Sequence, residues 1–117
     1  MSFESVNPTT EERLARFEPF DEAEVERRLD RARKGYLGYR ETGFPERAAW
    51  LKRVAGLLED EEAEHADLMT TEMGKLRDAA VAEVEKCAWV CRYYADRAAD
   101  FLATEEYETA ARQIGRA

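Results

Sequence analysis

Residues 77–102 read RDAAVAEVEKCAWVCRYYADRAADFL, and they decide how the rest of the chain is to be read. Ala80, Val84, Cys87, Cys91, Tyr94, Ala98 and Phe101 recur at alternating spacings of four and three, the repeat that puts side chains on one side of an α-helix. The run predicts one long amphipathic helix over residues 77–102. Trp89, Val90 and Leu102 flank the stripe, so at least one side of this helix has to be covered by something.

Working back from residue 77, Gly74 is placed to end a preceding helix in the left-handed conformation, which glycine enters without a Cβ penalty. That third helix is short and carries Ala63, Ala66, Met69 and Met73. The acidic run Glu59 to Glu62 opens it, since carboxylates favour the positive end of the helix dipole. A second helix, with Ala48, Leu51, Val54, Ala55 and Leu58 on one face, runs from Pro45 to about Glu59. Proline suits a first helical position because its missing N–H would have had no partner there. A first helix starts at about residue 22, where Asp21 and Glu24 have capping-box spacing and Phe20 and Val25 the spacing of a hydrophobic staple. Its face is Val25, Leu29, Ala32, Tyr36 and Tyr39, and it ends near Thr42 and Gly43. Residues 1–19 mix Asn7, Pro8, Thr9 and Thr10 with isolated apolar residues and suit a short hairpin or extended segment. Residues 104–117 are polar, lack apolar periodicity, and read as the start of a connection. The expected class is mainly α, with about four amphipathic helices after the N-terminal segment and no internal repeat.

Composition narrows the functions available. With 117 residues the chain fits one domain or a piece of one, and 38% charged residues with six glycines and three prolines describe an ordered, helix-rich protein. The net charge of −8, with no block of Lys and Arg apart from the acids, makes nucleic acid an unsuitable partner. No stretch approaches the ~20 apolar residues of a membrane span, and no basic flank precedes an apolar run at the N-terminus. The sequence therefore reads as cytoplasmic, with no membrane partner.

Candidate chemistry is sparse. Cys87 and Cys91 share a helix face, and a thiolate can ligate metal or attack a carbonyl. They fall on the apolar stripe, however, and structural zinc needs four ligands where the chain has two cysteines and one histidine, so buried, inert thiols are expected. His65, among Glu62, Glu64 and Asp67, reads as a surface histidine. The carboxylates offer no pair in contrasting environments, and no GxGxxG or GxxxxGK[ST] loop occurs. No catalytic, cofactor-binding or metal-ligating residue is assigned.

The residues do carry a family likeness. Phe44, Glu46, Arg47, Ala48, Leu51, Val54, Ala55, Leu57, Leu58 and Glu59, followed by Thr71, Glu72, Met73, Gly74 and Lys75, resemble the N-terminal part of NAD(P)-dependent aldehyde dehydrogenases. Ala82 to Cys87 and Tyr93 to Ala95 continue the likeness, and Asn7, Pro8 and Thr9 resemble the family's opening motif. The succinate-semialdehyde dehydrogenase branch looks nearest. Leu76 stands where many relatives have proline, and Tyr39 where a tryptophan is usual. The resemblance implies residues 1–117 as an incomplete, helical part of the α/β cofactor-binding domain. It also implies that the full-length enzyme uses NAD or NADP to oxidise an aldehyde such as succinate semialdehyde through a cysteine nucleophile. The oxyanion donor, cofactor loop, general base and nucleophile lie further along the family's sequence, so neither bound cofactor nor activity is expected of this chain. Its expected partners are the remainder of an aldehyde dehydrogenase chain, a helical partner, or a second copy joined through the stripe. Two rivals stand beside this reading: a free-standing helical interaction module descended from the same segment, and a two-cysteine metal or redox protein whose ligand content would change on alkylation.

Overall fold

The computed structural model describes residues 2–107. It is mainly helical: a hairpin of β1 (Phe3–Val6) and β2 (Arg13–Phe17) precedes α1 (Glu22–Tyr39), α2 (Phe44–Asp60), α3 (Glu62–Met73) and α4 (Arg77–Phe101). Four helices after a short hairpin match the sequence reading. Of the polar tail expected from residue 104, residues 108–117 lie outside the described residues.

The helix boundaries have local causes. Asp21 accepts from the Glu24 backbone N–H at 2.7 Å and caps α1. Phe20 lies under a guanidinium, with the Arg28 Cζ 3.9 Å from its ring centroid. Helix α1 stops at Tyr39, three residues before the expected Thr42. There the chain tightens: the N–H of Glu41 bonds to Gly38 O, and both the N–H and the hydroxyl of Thr42 bond to Tyr39 O. Gly43 is the cap of α2, with Pro45 in its first turn. At Glu61 the backbone breaks helical geometry (φ −105°, ψ 16°), which separates α2 from α3. Gly74, at φ 67°, closes α3 in the left-handed region, and its N–H bonds to Thr70 O at 3.0 Å.

The hairpin is antiparallel with Phe3 opposite Phe17 and Ser5 opposite Ala15, and a register shift after Ser5 brings Val6 opposite Arg13. Helices α2 and α3 both pack on α4, whereas α1 forms no comparable seam with any of them. The buried residues are Ala55, Ala66, Ala80, Val84 and Ala88, and no large side chain is fully buried among the described residues. Small side chains let the helix axes approach closely but remove little apolar area from water. The radius of gyration is 20.8 Å, with extents of 66 × 40 × 27 Å. A compact domain of this length has about 13 Å.

Two sequence expectations are corrected here. On α4 the inward face is Ala80, Val84, Ala88, Cys91, Ala95 and Ala98, while Cys87, Tyr94 and Phe101 from the expected stripe are exposed. The two thiols are therefore not both buried: Cys87 is exposed and Cys91 half-buried. The amphipathic face of α1 meets a neighbour at Tyr39, which stacks on Trp50 at 5.8 Å and lies under Arg47, and no α1 residue is buried.

Candidate functional site

Three surface features could carry function. The first joins the hairpin to the end of α3. Asn7 Oδ1 accepts from the backbone N–H groups of Thr9 and Thr10 at 2.9 and 3.2 Å, holding the turn that contains Pro8. The Asn7 N–H donates to Glu12 O, the Glu11 N–H donates back to Asn7 O, and Glu11 takes φ 60° to close the loop. The turn then seats on Gly74, where a Cβ would stand 3.2 Å from Pro8 Cγ. Beside it the Ser5 hydroxyl donates to Glu72 Oε1 at 2.6 Å. Ion pairs Lys75–Glu83 and Arg77–Asp67 tie the following turn to α4 and α3, and Arg77 also donates to Ala63 O. The polar groups of this clasp are satisfied by one another, which fits a structural junction.

The second feature is a shallow hollow of about 710 Å³ along α4, bordered by Ala82, Glu83, Lys86, Cys87, Val90 and Cys91 among others. A smaller one of about 210 Å³ between α2, α3 and α4 is bordered by His65, Met69, Val84 and Cys87. His65 is half-buried with its side chain 38% exposed, and its Nε2 lies 3.5 Å from Glu61 Oε2.

The third is an aromatic row on α4 that the sequence reading missed as a unit. Trp89 stacks on Tyr93 (5.5 Å between centroids), and Tyr94 and Phe101 meet edge to face at 6.4 Å. Trp89 is 61% and Phe101 56% exposed. The Trp89–Tyr93 spacing of one helical turn was the available signal. Arg92 at its margin pairs with Glu59 at 2.7 Å, and Lys52 pairs with Asp96 at 2.8 Å, pinning α2 to α4.

Hydrogen bonds from Arg27 and then Arg28 hold the Glu24 carboxyl below the ordinary carboxylate range, and the hydrogen bond to Glu105 raises the Tyr107 phenol. Tyr107 is exposed and Glu24 half-buried. Among the described residues no three His, Cys, Asp or Glu side chains are grouped to hold a metal ion, and no helix is long and apolar enough to cross a membrane.

Residues 1–115 match the aldehyde dehydrogenase family. The probable succinate-semialdehyde dehydrogenase [NADP(+)] of Synechocystis sp. is 42% identical over 113 residues, 97% of this chain and 25% of that protein. The succinate-semialdehyde dehydrogenase [NADP(+)] of Mycobacterium leprae is 44% identical over 111 residues, 95% of this chain and 24% of its own length. Among solved structures, the succinic semialdehyde dehydrogenase from Streptococcus pyogenes in complex with NADP+ superposes with a TM-score of 0.84 at 34% identity, over 97% of this chain and 25% of that one. The chain thus spans about a quarter of the length of the relatives it matches.

Proposed function

The chain belongs to the aldehyde dehydrogenase family, and on that premise we propose that it is the N-terminal helical portion of an NADP-dependent succinate-semialdehyde dehydrogenase. The reaction converts the aldehyde to the acid while hydride passes to the cofactor. The observation that carries this reading is the 42–44% identity to two such enzymes over at least 95% of the chain.

The cofactor does not fit the residues present. Dinucleotides sit in a crevice at the carboxyl ends of parallel strands, at a glycine-rich turn opening a helix. The two described strands form an isolated antiparallel hairpin, and no glycine stands at the start of a helix that follows a strand. No catalytic step is therefore assigned to this chain's residues. What they do is structural: α2–α4 form a small-residue-packed unit, the hairpin is clasped to it, and the exposed faces of α1 and α4 are there to be covered by the rest of the dehydrogenase.

A chimera tests this. The chain replaces the matching N-terminal segment of the Mycobacterium leprae enzyme, and NADPH formation is followed with succinate semialdehyde. Activity within about tenfold of the parent, some 1.4 kcal/mol in barrier, supports the reading, as does the absence of activity in the 117-residue chain alone. A soluble, folded chimera that cannot turn over would overturn it in favour of a free-standing interaction module.

A further inference from the structure

Helix α1 is held to α2 at its carboxyl end. Arg47, in the first turn of α2, donates through Nε to the Thr42 hydroxyl at 2.9 Å and through Nη2 to Tyr39 O at 3.1 Å. The same hydroxyl donates to Tyr39 O at 2.6 Å, so the guanidinium fork, the hydroxyl and the carbonyl form a closed ring of hydrogen bonds. Two further contacts hold the Tyr39 side chain to α2. The Arg47 Cζ stands 4.4 Å from its ring centroid, and Trp50, about one turn along α2, stacks on it at 5.8 Å.

The last turn of α1 has no basic side chain of its own, although the carboxyl end of a helix is its negative pole and favours a cation. Arg47 supplies that charge from the neighbouring helix. Helix α1 also buries no residue and forms no seam comparable to those among α2, α3 and α4, so among the described residues its direction is set at this corner. An α-helix of 18 residues is about 27 Å long, and a small rotation about the Glu41–Gly43 corner carries its far end through several ångströms. We propose that Arg47 is a latch on this corner: closed, it fixes the angle between α1 and α2, and open, it leaves α1 free to turn as an arm. The ring needs a planar donor fork that also lies against an aromatic face, which arginine has and a lysine ammonium lacks. The latch is made wholly of this chain's own contacts, so it presents α1 already aligned to whatever covers that helix. It goes beyond the dehydrogenase reading and does not rest on it.

The test is a distance measurement by electron spin resonance on the 117-residue chain, with Cys87 and Cys91 replaced by serine and spin labels carried at Glu26→Cys and Asp60→Cys, both exposed positions. Trimethylamine oxide is present throughout to favour the compact state, and circular dichroism follows helicity. The expected result is one narrow distance peak, lost in Arg47→Ala and in Arg47→Lys with helicity unchanged. The peak should survive Arg53→Ala, which removes a guanidinium that takes no part in the ring from the same helix. Should Arg47→Ala lower helicity, Thr42→Val decides, because it deletes only the bridging hydroxyl, and a broadened peak at parental helicity then supports the latch. A peak as narrow in Arg47→Lys and Thr42→Val as in the parent overturns the proposal, and so does a parent whose own distribution is broad. None of these outcomes bears on the chimera, whose turnover tests the dehydrogenase reading.

Discussion

Pro8 of the hairpin turn lies so close to Gly74 at the end of α3 that a glycine Cβ would stand 3.2 Å from the proline Cγ. Two motifs at opposite ends of the chain's first two-thirds are thereby one structural unit, with the Ser5–Glu72 hydrogen bond of 2.6 Å beside them. Gly74→Ala meets both a left-handed backbone, costing about 1–2 kcal/mol, and the proline ring. In the chimera it should lower stability by about 2 kcal/mol in urea denaturation. An unchanged midpoint would show that the clasp is not needed.

Asp21→Ala removes the only side-chain cap recorded for the four helices, a loss of about 1 kcal/mol. Because α1 shares no packing seam with the other helices, the effect should be local. Amide exchange should quicken through the first turns of α1 and stay unchanged in α4, and faster exchange in α4 would reveal coupling that the fold does not provide.

Helix α1 should also respond to acid. Glu24 is held below the ordinary carboxylate range by Arg27 and Arg28. Its contribution is therefore complete above the unfolded carboxylate's pKa and is lost as pH falls through its own lowered value. Helicity of α1 should drop over that acid window, and Glu24→Gln should remove this limb. Since the Arg27 and Arg28 partners are exposed, added salt should flatten the limb as well.

Val84, 3% exposed among alanines, should tolerate charge badly. Val84→Asp in the chimera should cost about 3 kcal/mol or more by burying an unpaired carboxylate. Glu59→Ala breaks the exposed pair with Arg92 and should cost no more than about 1 kcal/mol. Denaturation midpoints of the two variants check the contrast, and equal losses would contradict the burial assigned to α4.

Helix existence was legible where a single residue punctuates the chain: Asp21 as a cap, Pro45 in a first turn, Gly74 at a left-handed end. The packed face of α4 was legible in part: Ala80, Val84, Cys91 and Ala98 of the stripe turn inward, whereas Ala88 and Ala95 were missed because apolar periodicity weights large side chains, and Tyr94 and Phe101 are exposed. Both helical faces repeat at nearly the same spacing, so periodicity alone cannot say which one meets a neighbour. The clasp was hidden for another reason. Nothing local in Asn7-Pro8-Thr9 tells which distant glycine it will touch, and only the chain's folding brings Gly74 there. As for chemistry, the sequence reading's placement of Cys87 in a core failed with the stripe, which is why its accessibility emerged only from the structure.

On the proposed reading these helices are an incomplete unit whose apolar faces await the rest of a dehydrogenase. Ordering a residue costs roughly 1.5 kcal/mol, and apolar burial returns ~25 cal/mol per Å², so a chain with five buried residues among those described and an α1 that buries none should be marginal alone. Scanning calorimetry of the isolated 117-residue chain tests this most directly. The expected result is a broad transition with an enthalpy well under the about 0.7 kcal/mol per residue of a compact domain. A sharp transition at that full enthalpy, with calorimetric and van't Hoff values in agreement, would contradict it and show a self-sufficient fold.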